Sequence, residues 1–160
     1  MSKHLSHLDE DGSVRMVDVG EKPETERRAI FQSRVRLSSS TFRMLMKESL
    51  PKGEAINTAR IAGIQAAKRT SHLIPLCHQV PLSHVELRFE PEEDSHSLRI
   101  EAEARTTSST GVEMEALVAA QTAAMTIYDM CKAVERDIVI EDCRLLYKSG
   151  GSSGTYRADI

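Results

Sequence analysis

From Gly111 to Ala133 the chain reads Gly-Val-Glu-Met-Glu-Ala-Leu-Val-Ala-Ala-Gln-Thr-Ala-Ala-Met-Thr-Ile-Tyr-Asp-Met-Cys-Lys-Ala, a helical pattern with no charged residue between Glu115 and Asp129. At 3.6 residues per turn, Leu117, Ala120, Ala124, Ile127, Cys131 and Val134 share one stripe, the predicted core face. Another flank carries Val118, Thr122, Met125, Asp129 and Lys132, so a surface that a small monomer would leave in water is apolar until its last turn. A helix apolar on both sides is buried on both sides, and in a chain of 160 residues the second cover is expected from another subunit.

Asp129 and Lys132 sit three positions apart and project from neighbouring points of that second flank. An ordinary surface ion pair is one reading. The apolar neighbours favour another, in which a carboxylate and an ammonium stand at a partly dry interface and acquire the shifted pKa values that acid–base chemistry uses.

The length suits a single domain of 16–160 behind a flexible N-terminus of 1–15, a polar stretch that includes His4 and His7 and shows no periodicity. A net charge of −3, an aromatic content of 4% and the absence of Trp argue against a nucleic-acid binder built on basic and stacking surfaces. Cys77, Cys131 and Cys143 are odd in number and widely spaced, which fits neither a disulfide framework nor a Cys-x-x-Cys zinc site, and no metal site is expected. They fit the reducing cytoplasm. No signal-peptide pattern opens the chain, and the charge-free helix is too short and too rich in Thr and Gln to span a bilayer, so no membrane contact is expected.

Alternation over Arg27–Leu37 predicts a strand, with Ser39 and Ser40 as candidate N-caps of a short helix that turns Phe42, Leu45 and Met46 inward and stops at Pro51. A longer helix from about Glu54 to Arg69 lines up Ala55, Ala59, Ala62, Gly63 and Ala66 for close packing, and Pro75 ends the run. Leu82–Glu90 and Leu98–Ala104 alternate around the acidic turn Glu92-Glu93-Asp94 and predict a hairpin. After the charge-free helix, Ile138–Tyr147 predicts a last strand with a bulge near Val139 and Asp142. The order β-α-β-β-α-β predicts an α+β, ferredoxin-like domain: an antiparallel sheet with its helices on one face.

That fold hosts many functions, so the side chains must decide. Leu76-Cys77-His78 lies in an irregular loop between two prolines, where His78 is either a loop-stabilising residue or a cleft residue. Glu113-Met114-Glu115 opens the charge-free helix, where acidic residues ordinarily complement the helix dipole. Lys52 precedes a helix, and Lys148 stands beside a Ser-Gly-Gly-Ser-Ser-Gly turn that lacks the Gly-Lys-[Ser/Thr] ending of a P-loop. These residues together predict an oligomeric enzyme or binding domain with an interfacial, anion-accepting site.

Several long motifs then act together: Met16-Val-Asp-Val-Gly-Glu-Lys-Pro-Glu-Thr25, Thr58-Ala-Arg-Ile-Ala-Gly-Ile-Gln-Ala-Ala-Lys-Arg-Thr70, Leu73-Ile-Pro-Leu-Cys-His-Gln79, Gly111-Val-Glu-Met-Glu-Ala-Leu117, Thr126-Ile-Tyr-Asp-Met-Cys-Lys-Ala133 and Lys148-Ser-Gly-Gly. With them the chain resembles the molybdenum cofactor biosynthesis protein C family, the cyclic pyranopterin monophosphate synthases. The resemblance implies conversion of 3′,8-cyclo-7,8-dihydro-GTP, supplied by a radical-SAM enzyme, to cyclic pyranopterin monophosphate with release of pyrophosphate. It implies a ferredoxin-like homohexamer, a trimer of dimers with interfacial sites, and leaves contact with the radical-SAM enzyme open.

Carried over by resemblance, Asp129, Lys132 and Lys52 are the catalytic residues. Leu76, Cys77, His78, Glu113, Met114, Glu115 and Lys148 are the substrate-binding ones. Ser152 stands where many members carry Lys. No cofactor is implied, and Mg2+ accompanying the polyphosphate is left open. The reading from another class is a non-catalytic ferredoxin-like regulatory domain that binds a nucleotide.

Overall fold

The structure, a computed structural model, describes residues 6–160. Its elements are β1 (Thr25–Arg36), α1 (Ser39–Met46), α2 (Ala55–Ala67), α3 (Thr70–Leu73), β2 (Leu82–Glu92), β3 (Ser97–Ser108), α4 (Glu113–Cys131), β4 (Val139–Ser149) and β5 (Tyr156–Arg157). The strands form one antiparallel sheet in the order β2-β3-β1-β4-β5, and α2 and α4 pack together over one of its faces. This is the α+β ferredoxin-like arrangement expected from the sequence, with β5 added outside β4 and the single-turn α3 added after α2.

Local chemistry explains most boundaries. The cap of α1 is Ser38, one residue earlier than expected, and its hydroxyl accepts the Thr41 N–H at 3.3 Å. The Glu135 carboxylate accepts the Ser38 N–H, tying this start to the chain beyond α4. Glu54 caps α2 by accepting the Ile56 and Asn57 N–H groups. The small-residue face of α2 lies against α4 and β2: a Cβ on Gly63 would meet the Leu87 side chain and, at 3.0 Å, the Ala119 carbonyl oxygen. In β4 the expected bulge falls at Asp142, whose φ is +53° and where the register against β1 shifts.

The core face of α4 is wider than the predicted stripe. Ala120, Ala124, Ile127 and Cys131 are buried as expected, joined by Ala116, Ala119, Ala123 and Met130. Leu117 is only half-buried. Val134 is 40% exposed, because the helix ends at Cys131 and Val134 lies in the following turn. The second flank stands open: Met125 is 55% exposed, and Asp129 and Lys132 are exposed beyond it. Ile61 on α2 and Leu73 on α3 add to this uncovered apolar surface.

The opposite face of the sheet is ionic. Arg28, Arg34, Arg88, Arg99, Arg105 and Arg144 are interleaved with Glu86, Glu90, Glu92, Glu101, Glu103 and Asp142 in ion pairs between and along the strands. Glu103 is fully buried and accepts from Arg28 at 2.7 Å, Arg105 at 2.5 Å and Arg88 at 3.0 Å. Those guanidiniums hold its pKa well down, from an ordinary 4.5 to about 2, with Arg28 contributing most.

Before β1 the chain closes a small turn over 7–15, with a Leu8–Val14 bridge and an Asp9–Arg15 ion pair at 3.0 Å. The rest of the expected flexible segment, 1–5 with His4, lies outside the described residues.

Candidate active site

Two groups of side chains gather at opposite ends of α4. At its C-terminal end the Asp129 carboxylate bridges two ammonium groups, Lys132 Nζ at 2.9 Å and Lys52 Nζ at 3.1 Å. Lys52 comes from the loop between α1 and α2, so the fold completes a triad of which spacing alone suggested one pair. All three side chains are about half exposed. The pKa shifts run toward the charged forms: Lys132 first, then Lys52, lowers that of Asp129, and Asp129 raises that of Lys132. Within one chain the ion pairs outweigh the desolvation anticipated from the apolar flank.

At the N-terminal end of α4 the loop 74–81 meets the first helical turn. Leu76, Cys77 and His78 line a cleft of about 580 Å³ with Glu113 and Met114, and with Val17, Val19 and Lys22 from the segment before β1. The loop turns on a Cys77 N–H bond to the Ile74 carbonyl, and His78 Nε2 donates to the Val17 carbonyl at 2.6 Å. Glu115 is no dipole partner in solvent. It points inward, only 3% exposed, with Oε1 3.9 Å from Cys77 Sγ and Oε2 without a protein partner. Burial raises its pKa, and burial together with the Glu115 charge raises that of the Cys77 thiol. A carboxyl so placed takes up a proton readily and then donates it.

A second cleft of about 490 Å³ adjoins the first along Lys22, Thr110, Gly111 and Glu113. Lys148 lines it, 3.8 Å from Glu113 Oε1 and bonded to the Ser153 hydroxyl, and Ser152 lies on the same wall. Arg27 and Lys22 join Lys148 there. Arg27 is held by the Ser108 and Ser109 carbonyls and by Gly150-Gly151, where any Cβ would strike the Glu26 carbonyl or the guanidinium itself. Both glycines have positive φ, +95° and +77°. The cationic wall beside open N–H groups at a helix N-terminus suits an anion.

Sequence reasoning passed over Arg27 and Lys22. Arg27 carried a signal: it occupies the inward phase of β1, in register with Ala29 and Phe31, where a charged residue needs a reason. Nothing in the spacing marks Lys22. The structure therefore brings Leu76, Cys77, His78, Glu113, Met114, Glu115 and Lys148 together at one end. It keeps Lys52, Asp129 and Lys132 together at the other, roughly 21 Å away along the helix between Glu115 and Asp129 at 1.5 Å per residue. Among the described residues no three His, Cys, Asp or Glu side chains group as metal ligands, and no helix is long and apolar enough to cross a membrane.

The sequence pattern that defines the MoaC family matches residues 16–151. The cyclic pyranopterin monophosphate synthase of Oleidesulfovibrio alaskensis is 61% identical over 158 residues, covering 99% of each chain. The protein of the same name from Nitratidesulfovibrio vulgaris is 59% identical over 155 residues, 97% of this chain and 96% of that one. Human molybdenum cofactor biosynthesis protein 1 is 49% identical over 155 residues, 97% of this chain but 24% of that longer protein.

Proposed function

The chain belongs to the MoaC family, and from that membership we infer that it is a cyclic pyranopterin monophosphate synthase of molybdenum cofactor biosynthesis, turning 3′,8-cyclo-7,8-dihydro-GTP into cyclic pyranopterin monophosphate and pyrophosphate. The observation that carries this reading is the near-complete match to relatives bearing that name. The geometry supplies parts that the chemistry needs. Rearranging the purine-derived ring opens and closes C–N bonds, and each step moves protons at nitrogen and oxygen. Cyclising the phosphate requires an internal hydroxyl to attack the α-phosphorus as the bond to pyrophosphate breaks. Cations must balance that charge.

In this reading the ring lies in the cleft of Leu76, Cys77, His78 and Met114, with the buried Glu115 behind Cys77. The polyphosphate lies in the adjoining cleft against Lys148, Arg27 and Lys22. Lys132 is the principal proton carrier, and Asp129, 2.9 Å away, orients it and favours its ammonium form. Lys52 adds positive charge to the same group.

A single chain keeps these parts too far apart for one nucleotide, so the site is shared between two copies. The open flank of α4 runs Met114, Val118, Thr122, Met125, Asp129, from the cleft at one end to the triad at the other. An isologous contact that lays this flank antiparallel on its copy places each triad against the partner's cleft. The exposed Met125, Ile61 and Leu73 are the apolar surface such a contact would bury. Three such dimers form the hexamer, working in the cytoplasm as a pyrophosphate-releasing lyase.

The test is pterin and pyrophosphate formation from 3′,8-cyclo-7,8-dihydro-GTP by the purified protein, with Lys132→Ala beside it. Product from the wild type alone is expected. Saturable nucleotide binding without product would replace this reading with a non-catalytic binding domain, and full activity in Lys132→Ala would remove the role given to the triad.

A further inference from the structure

The segment 6–22 belongs to no element of the sheet-and-helix body, yet both of its ends reach the same cleft. Ser6 and His7 line it at one end; Val17, Val19 and Lys22 line it at the other. In between, the chain is held in shape by its own bonds. The Arg15 N–H bonds to the His7 carbonyl at 2.8 Å, Asp9 N–H to the Ser13 carbonyl at 2.9 Å, and Gly12, at φ +84°, returns its N–H to the Asp9 carbonyl at 2.9 Å. The body grips this segment from the substrate loop, through the His78 Nε2–H bond to the Val17 carbonyl.

The turn also fixes what His7 offers. Its Nδ1 lies 3.1 Å from the Arg15 carbonyl oxygen, which only accepts, so Nδ1 carries the hydrogen of that bond. In the neutral ring Nε2 then holds the lone pair and is the nitrogen left for a ligand. His78 is fixed in the complementary tautomer, with Nε2–H committed to Val17 and Nδ1 left over. Two oriented imidazoles thus stand on one cleft, one on the body and one on the segment whose two ends line it.

We propose that residues 6–22 form a strap across the substrate cleft, latched by His78, and that His7 is a substrate-binding residue carried on it, its Nε2 accepting an N–H of the purine-derived ring. This rests on the reading of the cleft given under Proposed function. Lys22 ends the strap on both clefts, so closing over the ring also brings a cation toward the polyphosphate.

The full chain is tested as wild type, His7→Ala, His7→Asn and His7→Gln. The Asn side-chain nitrogen stands near the imidazole Nδ1 and preserves the bond to Arg15 while removing the nitrogen that faces the ligand; the Gln amide reaches toward the Nε2 position. One lost hydrogen bond is worth about tenfold. His7→Ala and His7→Asn should therefore raise KM for 3′,8-cyclo-7,8-dihydro-GTP about tenfold with kcat within about twofold, and His7→Gln should recover part of the loss. Wild-type behaviour of His7→Asn beside an impaired His7→Ala would reduce His7 to a support of the turn and overturn its binding role, as would wild-type KM in both.

Strap closure is read without turnover by trypsin cleavage after Arg15, which 3′,8-cyclo-7,8-dihydro-GTP should slow in the wild type and slow less in His7→Ala. Unchanged cleavage with and without that nucleotide overturns the strap. If the wild type forms no product, the functional reading fails on its own account, and protection of Arg15 by the same nucleotide or by GTP still decides the strap.

Discussion

Lys52 and Asp129 are 77 positions apart in the chain, yet their side chains meet at 3.1 Å, and the same carboxylate holds Lys132 at 2.9 Å. Two ammonium groups on one carboxylate leave the cluster with a net positive charge, oriented but not neutralised. Because all three groups face solvent in the single chain, removing one should barely disturb folding. Lys132→Ala is expected to lower kcat by at least about 100-fold, the scale of a lost acid–base group. Its thermal midpoint should match the wild type. Coupled activity assays and circular-dichroism melting check the two halves; a fold lost together with activity would count against the assignment.

The proposed sharing of the site between copies predicts complementation. Lys132→Ala and His78→Ala, each inactive, should regain activity when mixed and allowed to exchange subunits, because a mixed dimer has one intact site. Random pairing puts the recovery at about a quarter of wild type. No recovery in exchanged oligomers, verified by mass spectrometry, would place both residues in a site within one chain.

Glu103 makes stability depend on acid. Its folded pKa, about 2, lies below the ordinary 4.5, so its stabilisation is complete above 4.5 and is lost as pH falls toward 2. The size is on the order of 3 kcal/mol. Glu103→Gln leaves three partly exposed guanidiniums, Arg28, Arg88 and Arg105, without their carboxylate and should cost about 1–3 kcal/mol at pH 7. The gap between the two proteins should narrow between pH 4.5 and 3, since only the wild type loses this contribution. Urea denaturation at fixed protein concentration across that range measures it, and a constant gap would contradict the shift.

Gly63→Val probes the closest approach in the helical layer. Its side chain would run into Leu87 and the Ala119 backbone, and overpacking of this kind costs about 1–3 kcal/mol. The same urea measurement reads it. No destabilisation would mean that α2 and α4 are not pressed together as described.

Much of this was legible in the residue order. Alternation located β1 to β4, and small residues at helical spacing marked the buried side of α2, because a strand or helix with one dry face writes its period into the sequence. Resemblance named most of the side chains now found at the two ends of α4, but not Arg27 or Lys22. Spacing could not say that the Leu76-Cys77-His78 loop meets Glu113 and Met114, nor that Lys52 meets Asp129, because those contacts depend on how the β2–β3 hairpin and the α1–α2 loop come back to α4. Position alone makes Glu115 an ordinary solvated first-turn glutamate, and only the packing of Cys77 against it reveals a buried carboxyl with one oxygen unmatched. Residues 7–15 looked uninformative because a turn held by backbone bonds and an Asp9–Arg15 pair has no hydrophobic period to show.

The ionic lattice on the open face of the sheet bears on how a highly charged nucleotide finds this molecule. An arginine already holding a carboxylate exerts little pull on a distant anion, since the two fields cancel beyond a few ångströms. That whole side is thus electrostatically quiet. In a chain of net charge −3 the remaining attraction comes from the helical side, from Lys22, Arg27 and Lys148 around one cleft and from the doubly cationic grip on Asp129. The rate of capture then depends on a small patch rather than on the molecule's overall charge, and it should fall with added salt although protein and ligand are both negative.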